Sequence, residues 1–178
     1  MSINYVDLFN HIHPDFFAAE YIKSLPPEEV FVEQIMTLKD FDPEAVTIPV
    51  PENITYGFFT GDLAQLQSSV REVDEDWVQY YQKDDRVFCA FDGDKVVSFC
   101  ILDGCGEYQG LKIGAPGCVG TIPAYRKQGI GLKMVQLATA QLKADGYDLS
   151  YIHYTAVGHW YARLGYETVL RWNANGLL

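Results

Sequence analysis

With 178 residues and 48% hydrophobic content, the chain has room for one core of ordinary size and too little material for a second. Its 13 Lys plus Arg stand against 24 Asp plus Glu, a net charge of −11, which argues against nucleic acid as a partner because that affinity rests on basic footprints. No run approaches the roughly 20 apolar residues that span a bilayer, and Met1-Ser2-Ile3-Asn4 lacks the basic and apolar regions of a secretory signal, so no membrane association and a cytoplasmic location are expected.

In chain order, residues 14–25 and 27–39 read as helices. Each has proline near its first turn, and Glu28 and Glu29 suit a helix start. Asp42-Pro43 and Pro49-Val50-Pro51 then break regular structure, so residues 40–53 form a connector. The division expected is a helical N-terminal extension over residues 1–53, packed on a main domain over residues 54–178. Residues 54–59 read as a strand, Asp62 caps a helix over 63–73, and 74–81 form a second short helix. Strands over 86–91 and 95–102 are joined by the hairpin chemistry of Asp92-Gly93-Asp94. There follow a strand at 118–122, the longest helix at 128–144, a strand at 148–155, a short helix at 157–164 and a last strand at 166–172. The fold class is mixed α/β: an antiparallel meander leading into a central strand-helix-strand crossover, which is parallel.

The charges are unevenly spread. Between Leu111 and Ala144 stand Lys112, Arg126, Lys127, Lys133 and Lys143 and no acidic residue, so an anionic ligand is expected there. At the first junction of the crossover the chain leaves its strand at Pro123 and turns through Ala124-Tyr125-Arg126-Lys127-Gln128 into a helix opening near Gly129-Ile130-Gly131. The first amides of a helix have no internal acceptor, and two glycines without Cβ let a diphosphate reach them. A nucleoside-triphosphatase loop does not fit, since Gly131 is followed by Leu132-Lys133-Met134 rather than by Lys-Ser or Lys-Thr. A dinucleotide fingerprint lacks its third glycine.

Pro123 to Gly131 resembles the signature of the GNAT superfamily of N-acetyltransferases: Arg or Gln, two residues, Gly, one residue, then Gly or Ala. Trp160-Tyr161-Ala162-Arg163-Leu164-Gly165-Tyr166 looks like that family's second signature, an aromatic-Tyr pair on a short helix stopped at Gly165. The resemblance implies a GNAT-like sheet and transfer of an acetyl group from acetyl-CoA to a primary amine of a small molecule or peptide, by direct attack in a ternary complex. It also implies that Val119, Gly120 and Thr121 line the pantetheine arm, and that the amides of Arg126, Lys127, Gln128, Gly129, Ile130 and Gly131 bind the pyrophosphate. Tyr161 would be the general acid that protonates the departing thiolate. An acyl-CoA-binding module without turnover, or an enzyme using a longer acyl-CoA, are the alternatives.

Amine attack calls for a base, and Asp103, Glu107 and His153 are the candidates, with Glu107 placed first. Cys105 and Cys118 have no evident activating partner, and His11 and His13 lack metal-ligand spacing, so neither an enzyme nucleophile nor a metal is expected. Two departures from the family pattern stand out. Tyr154 occupies the place of an Asn seven residues before the catalytic Tyr. The final hairpin is also short, so its last strand is missing, supplied by a partner chain in a homodimer, or replaced by the N-terminal extension.

Overall fold

The computed structural model describes residues 2–178. Helix α1 (Tyr5–Ile12) is capped by Asn4, whose side chain accepts from the amides of Val6 and Asp7. It buries Leu8 and Phe9 on one side. Residues 14–25 are not one helix: a 3-10 turn (Phe16–Ala18) and the short α2 (Glu20–Lys23) are separated by extended backbone at Ala19.

Residues 27–39 overturn the helical expectation, because Phe31–Thr37 is a strand, β1. Pro26 to Glu29 form a closed turn, with the Glu29 amide donating to the Pro26 carbonyl, so the acidic pair marks a turn and not a helix start. Tertiary burial overrides local preference here. Glu33 and Gln34, which look like surface residues of a helix, are 0% and 1% exposed.

The remaining elements follow the expected order. They are β2 (Ile54–Phe58), α3 (Leu63–Arg71, capped by Asp62), a 3-10 turn (Glu75–Tyr80) and β3 (Val87–Asp92). Then come β4 (Lys95–Tyr108), β5 (Leu111–Thr121), α4 (Ile130–Ala144), β6 (Leu149–Thr155), α5 (Gly158–Ala162), β7 (Glu167–Asn173) and β8 (Gly176–Leu177). Strands β4 and β5 extend well beyond the predicted 95–102 and 118–122. Gly104, Gly106, Gly110, Gly114 and Gly117 dilute the apolar pattern that would have revealed them.

All eight strands form one sheet in the order β2-β3-β4-β5-β6-β1-β7-β8. The only parallel pair among the described residues is β5 with β6, as expected of the crossover, and its register covers just Ile113↔Leu149 and Gly114↔Ser150. Beyond those two pairs β5 is held by β4 alone and β6 by β1 alone, so a wedge opens between them. β1 lies antiparallel between β6 and β7. Of the three fates considered for the closing strand, the N-terminal segment supplies it.

The two faces of the sheet are covered differently. On one, Thr139 of α4 and Ser150 of β6 share the Tyr166 hydroxyl. On the other, Leu149 and Tyr151 pack against Leu8 of α1, as strand alternation requires. Deep beneath the N-terminal elements the Glu33 carboxylate accepts from Trp172 Nε1 at 2.6 Å, the Tyr151 hydroxyl, His153 Nδ1 at 2.9 Å and the Tyr154 amide at 3.2 Å. A buried carboxyl so fully bonded ties β1 to β6 and β7 at one point.

Two outcomes are expected. Glu33→Ala leaves those donors without an acceptor and should cost about 3–5 kcal/mol of unfolding free energy, read by urea denaturation. His13 stacks on His153 at 3.7 Å between centroids, and burial first, then its imidazole neighbour, lowers its pKa to about 4. A histidine kept neutral in the fold but free to charge when unfolded contributes stability above about pH 6.5 that is lost as pH falls towards 4. Denaturation midpoints should drop across that window in the parent and drop less in His13→Gln.

Candidate cofactor and active site

Between β5 and α4 the chain makes a 3-10 turn (Pro123–Tyr125), passes through Lys127 at φ 63° and Gly129 at φ 78°, and enters the helix. Arg126 Nε donates to the Thr121 carbonyl at 2.9 Å, folding its side chain back along β5. The first amide of the region to find a helical acceptor is that of Lys133, bonded to the Gly129 carbonyl. The amides of Lys127, Gln128, Gly129, Ile130, Gly131 and Leu132 have no acceptor among the described residues. Such a run of free N–H groups at the positive end of a 15-residue helix is an anion-binding arrangement. The Arg126 amide, by contrast, is engaged with the Pro123 carbonyl. Of the loop amides expected to bind, this one is already used.

Both glycines are required by close approach. A Cβ on Gly129 would strike the Pro49 carbonyl oxygen, and φ 78° is itself costly for other residues. A Cβ on Gly131 would strike Thr121 Oγ1. The connector therefore backs the loop, and it is fastened to α4 by Gln136 Nε2 donating to the Val46 carbonyl and by Lys143 Nζ to the carbonyls of Lys39 and Phe41.

A cavity of about 590 Å³ adjoins this turn. Val119, Gly120, Thr121, Arg126, Lys127, Gly129, Ile130, Gly131 and Tyr161 all line it; Gln128 does not. Trp160 and Arg163 join them, two residues that sequence reasoning quoted in a motif but gave no role. The lining carries Arg126, Lys127 and Arg163 and no carboxylate, in a chain of net charge −11. An anion with an apolar arm suits such a surface.

On the β5 side, Cys118 at φ 47° forms a bulge, with one extra residue between the pairs Ile101↔Gly117 and Phe99↔Gly120. The Tyr81 hydroxyl donates to the Cys118 carbonyl at 2.6 Å and Ser98 Oγ to the Gly120 carbonyl at 2.8 Å, so the bulge is held from both faces of the sheet. On the other side α5 is positioned by β1. Gln34 Nε2 donates to the Gly158 carbonyl at 3.0 Å, and Gly158 sits so close to Val32 that a larger residue would not fit. Tyr161 is 6% exposed, yet its hydroxyl has no partner among the described residues and the residue borders the cavity. Burial first, then Tyr166, pushes its pKa well up, so it stays a donor at every working pH.

Glu107, placed first among the candidate bases, does not line this cavity. It pairs with Lys112 at the far end of the β4–β5 hairpin, and its side chain is exposed. Cys118 lies six residues beyond Lys112 along β5, roughly 20 Å at about 3.4 Å per residue. Asp103 is likewise an exposed residue, bonded to the adjacent Gly104 amide. The thiols are held towards their protonated form, which disfavours them as nucleophiles. Burial raises Cys89 to about 12 and, with help from Asp103 and Asp74 respectively, Cys105 and Cys118 to about 11.

Residues 83–168 match the family model described as an acetyltransferase (GNAT) domain. Among solved structures, a GCN5-related glucosamine N-acetyltransferase region of a fungal multi-domain GH3 β-N-acetylglucosaminidase is similar at TM-score 0.67 and 20% identity, over 81% of this chain and 20% of that one. GCN5-related N-acetyltransferases from Sphaerobacter thermophilus (TM-score 0.61, 18% identity, 96% of this chain and 54% of that one) and Kribbella flavida (0.56, 17%, 87% and 60%) are similar as well. The chain thus spans from a fifth to three-fifths of the length of these structures, and at such identities the likeness is one of fold. No curated protein matches the sequence. Residues 83–168 thus match a GNAT acetyltransferase domain, and the meander, splayed parallel pair and glycine turn give the chain the fold of its GCN5-related structural neighbours.

Proposed function

We propose that the protein transfers an acetyl group from acetyl-CoA to a primary amine by direct attack within a ternary complex. Acyl transfer from an acyl-CoA to an amine is what the family model implies; the acetyl group and the primary amine are the finer reading. The observation that carries it is the conjunction of free amides from Lys127 to Leu132 with the unpartnered hydroxyl of Tyr161 on one cavity.

In this reading the free amides and the guanidinium of Arg126 take the pyrophosphate, and Val119 to Thr121 line the pantetheine arm in the wedge. Tyr161 donates its proton to the thiolate as the C–S bond breaks. Buried and uncharged, it can do so without a competing partner, and help of this kind is typically worth about 10²- to 10⁴-fold in rate. With every thiol pushed towards its protonated form, no acyl-enzyme is invoked; orientation within one complex supplies the advantage. The acceptor enters charged, since a lysine-like amine has a pKa near 10.4, and freeing its lone pair at pH 7 costs roughly 4–5 kcal/mol at about 1.36 per unit. The chain's net charge of −11 favours encounter with such a cation.

Thiol release from acetyl-CoA, followed across polyamines, aminoglycosides and peptide N-termini, tests the reading. Acceptor-dependent release is expected in the parent, with kcat lowered about 10²- to 10⁴-fold in Tyr161→Phe and little change in acetyl-CoA affinity. No release with any acceptor, despite tight binding, would favour a binding module, and faster release from longer acyl-CoAs would favour the longer acyl donor. Gly129→Ala separates the loop from the chemistry: calorimetry should show acetyl-CoA affinity falling at least tenfold, because a methyl group there displaces the Pro49 carbonyl and turns the amides away.

A further inference from the structure

We propose that His153, oriented by the buried Glu33, is the base that takes the proton from the acceptor amine. This rests on the acetyltransferase reading and adds to it a base on the face of the sheet opposite the cavity, whose own lining holds the imidazole of His159.

The first support is the state of the imidazole. Trp172 Nε1 and the Tyr154 amide can only donate, and both are spent on Glu33 Oε1, while Oε2 faces the Tyr151 hydroxyl and the imidazole. In this assignment His153 Nδ1 carries the hydrogen of the 2.9 Å contact with Glu33 Oε2, as a carboxylate beside a neutral imidazole requires. The lone pair then falls on Nε2. That atom has no partner among the described residues and is not among the buried unsatisfied atoms, and the side chain is 28% exposed, so Nε2 opens to solvent. A carboxylate fixing one ring nitrogen while the other stays free is a base held in its working tautomer.

Position is the second support. Continuing the parallel register from Ile113↔Leu149 and Gly114↔Ser150 sets His153 level with Gly117, one residue before the Cys118 bulge. It stands on the β6 lip of the wedge. By strand alternation its ring lies on the Tyr151 side, the face opposite Ser150 and α4. An amine arriving from that side meets the wedge from across the sheet, away from the pyrophosphate turn.

Energetics supply the third. A carboxylate at 0% exposure is costly, and apolar residues of similar size commonly hold a core as well or better. Its retention is accounted for if it stabilises a developing imidazolium. The titratable groups facing His153 are Glu33 from β1, His13 after α1, and Tyr151 and Tyr154 on β6 itself. His13 is neutral above about pH 4 and the tyrosines are pushed upwards, so the carboxyl of Glu33 is the one acid among the groups facing the ring.

The proton inventory closes. The ammonium gives one proton to Nε2, and the freed lone pair attacks the thioester carbon. The C–N bond forms, the C–S bond breaks, and the thiolate takes the Tyr161 proton. A second proton leaves the nitrogen and restores Tyr161, the third stays on the amide, and the imidazolium returns its proton to water.

The test uses the acceptor giving the fastest thiol release in the parent, at saturating acetyl-CoA from pH 5.5 to 9. His153→Gln should lower kcat about 10²- to 10⁴-fold with acetyl-CoA affinity unchanged, and should abolish the ascending limb of the pH profile. Glu33→Gln should keep that limb but move it to lower pH, and imidazole should partly rescue His153→Ala. Should the glutamine variant fail to fold, nitrogen-15 NMR of the parent decides: the Nδ1–H tautomer must be seen, titrating within a unit of the kinetic limb. A His153→Gln enzyme with kcat within about threefold of the parent and the same profile overturns the dyad while leaving the acetyltransferase reading intact. A parent inactive towards every amine overturns both.

Discussion

A parallel strand pair that holds for two residue pairs and then parts is the constraint on which this molecule depends. Parting leaves two strand edges, each with backbone groups to satisfy and side chains to anchor. The structure meets this by giving each lip its own support. β5 is held by β4, by the Tyr81 bond to the Cys118 carbonyl and by Ser98 beneath Gly120. β6 is held by β1, and β1 by the carboxylate it sinks among Tyr151, His153 and Trp172. Neither lip leans on the other, so the opening persists without a ligand to prop it.

Electrostatics follow the same division. Acidic residues dominate the chain, yet the cavity beside α4 is lined by Arg126, Lys127, His159 and Arg163 and by no carboxylate. The one deeply buried carboxylate lies on the far side of the sheet, among donors that neutralise it locally. Under the proposed function, that division sets the basic surface on the donor's side of the sheet and the buried carboxyl on the acceptor's.

How much of this could be read from letters alone varied with the range of the interactions. The glycine turn was legible because its chemistry is local: Gly129 and Gly131 are needed for approach, and the amides are free because a helix starts there. The Trp160 to Tyr166 segment was legible for the same reason. β1 was not, since Pro27-Glu28-Glu29 offered a plausible helix start and nothing nearby discloses that Glu33 will meet Trp172, 139 residues away. The long β4–β5 hairpin was hidden by glycines that weaken a strand pattern while allowing its bulges. Glu107 was ranked as the base because β4 was expected to stop at Leu102; once the strand runs on to Tyr108, that carboxylate is carried far from the wedge.

The residues that misled are also the ones that hold the site together. Gln34 and Val32 of β1 set α5, and with it Tyr161, while Glu33 on the same strand sets His153. Strand alternation sends Glu33 to one face and Gln34 to the other, so adjacent residues reach the two sides of the wedge. A polar pair in mid-strand is poor local design and makes sense only as a joint between faces. Residues 31–37 are thus not an addition to a finished domain: they are the strand through which both halves of the site are fixed relative to one another.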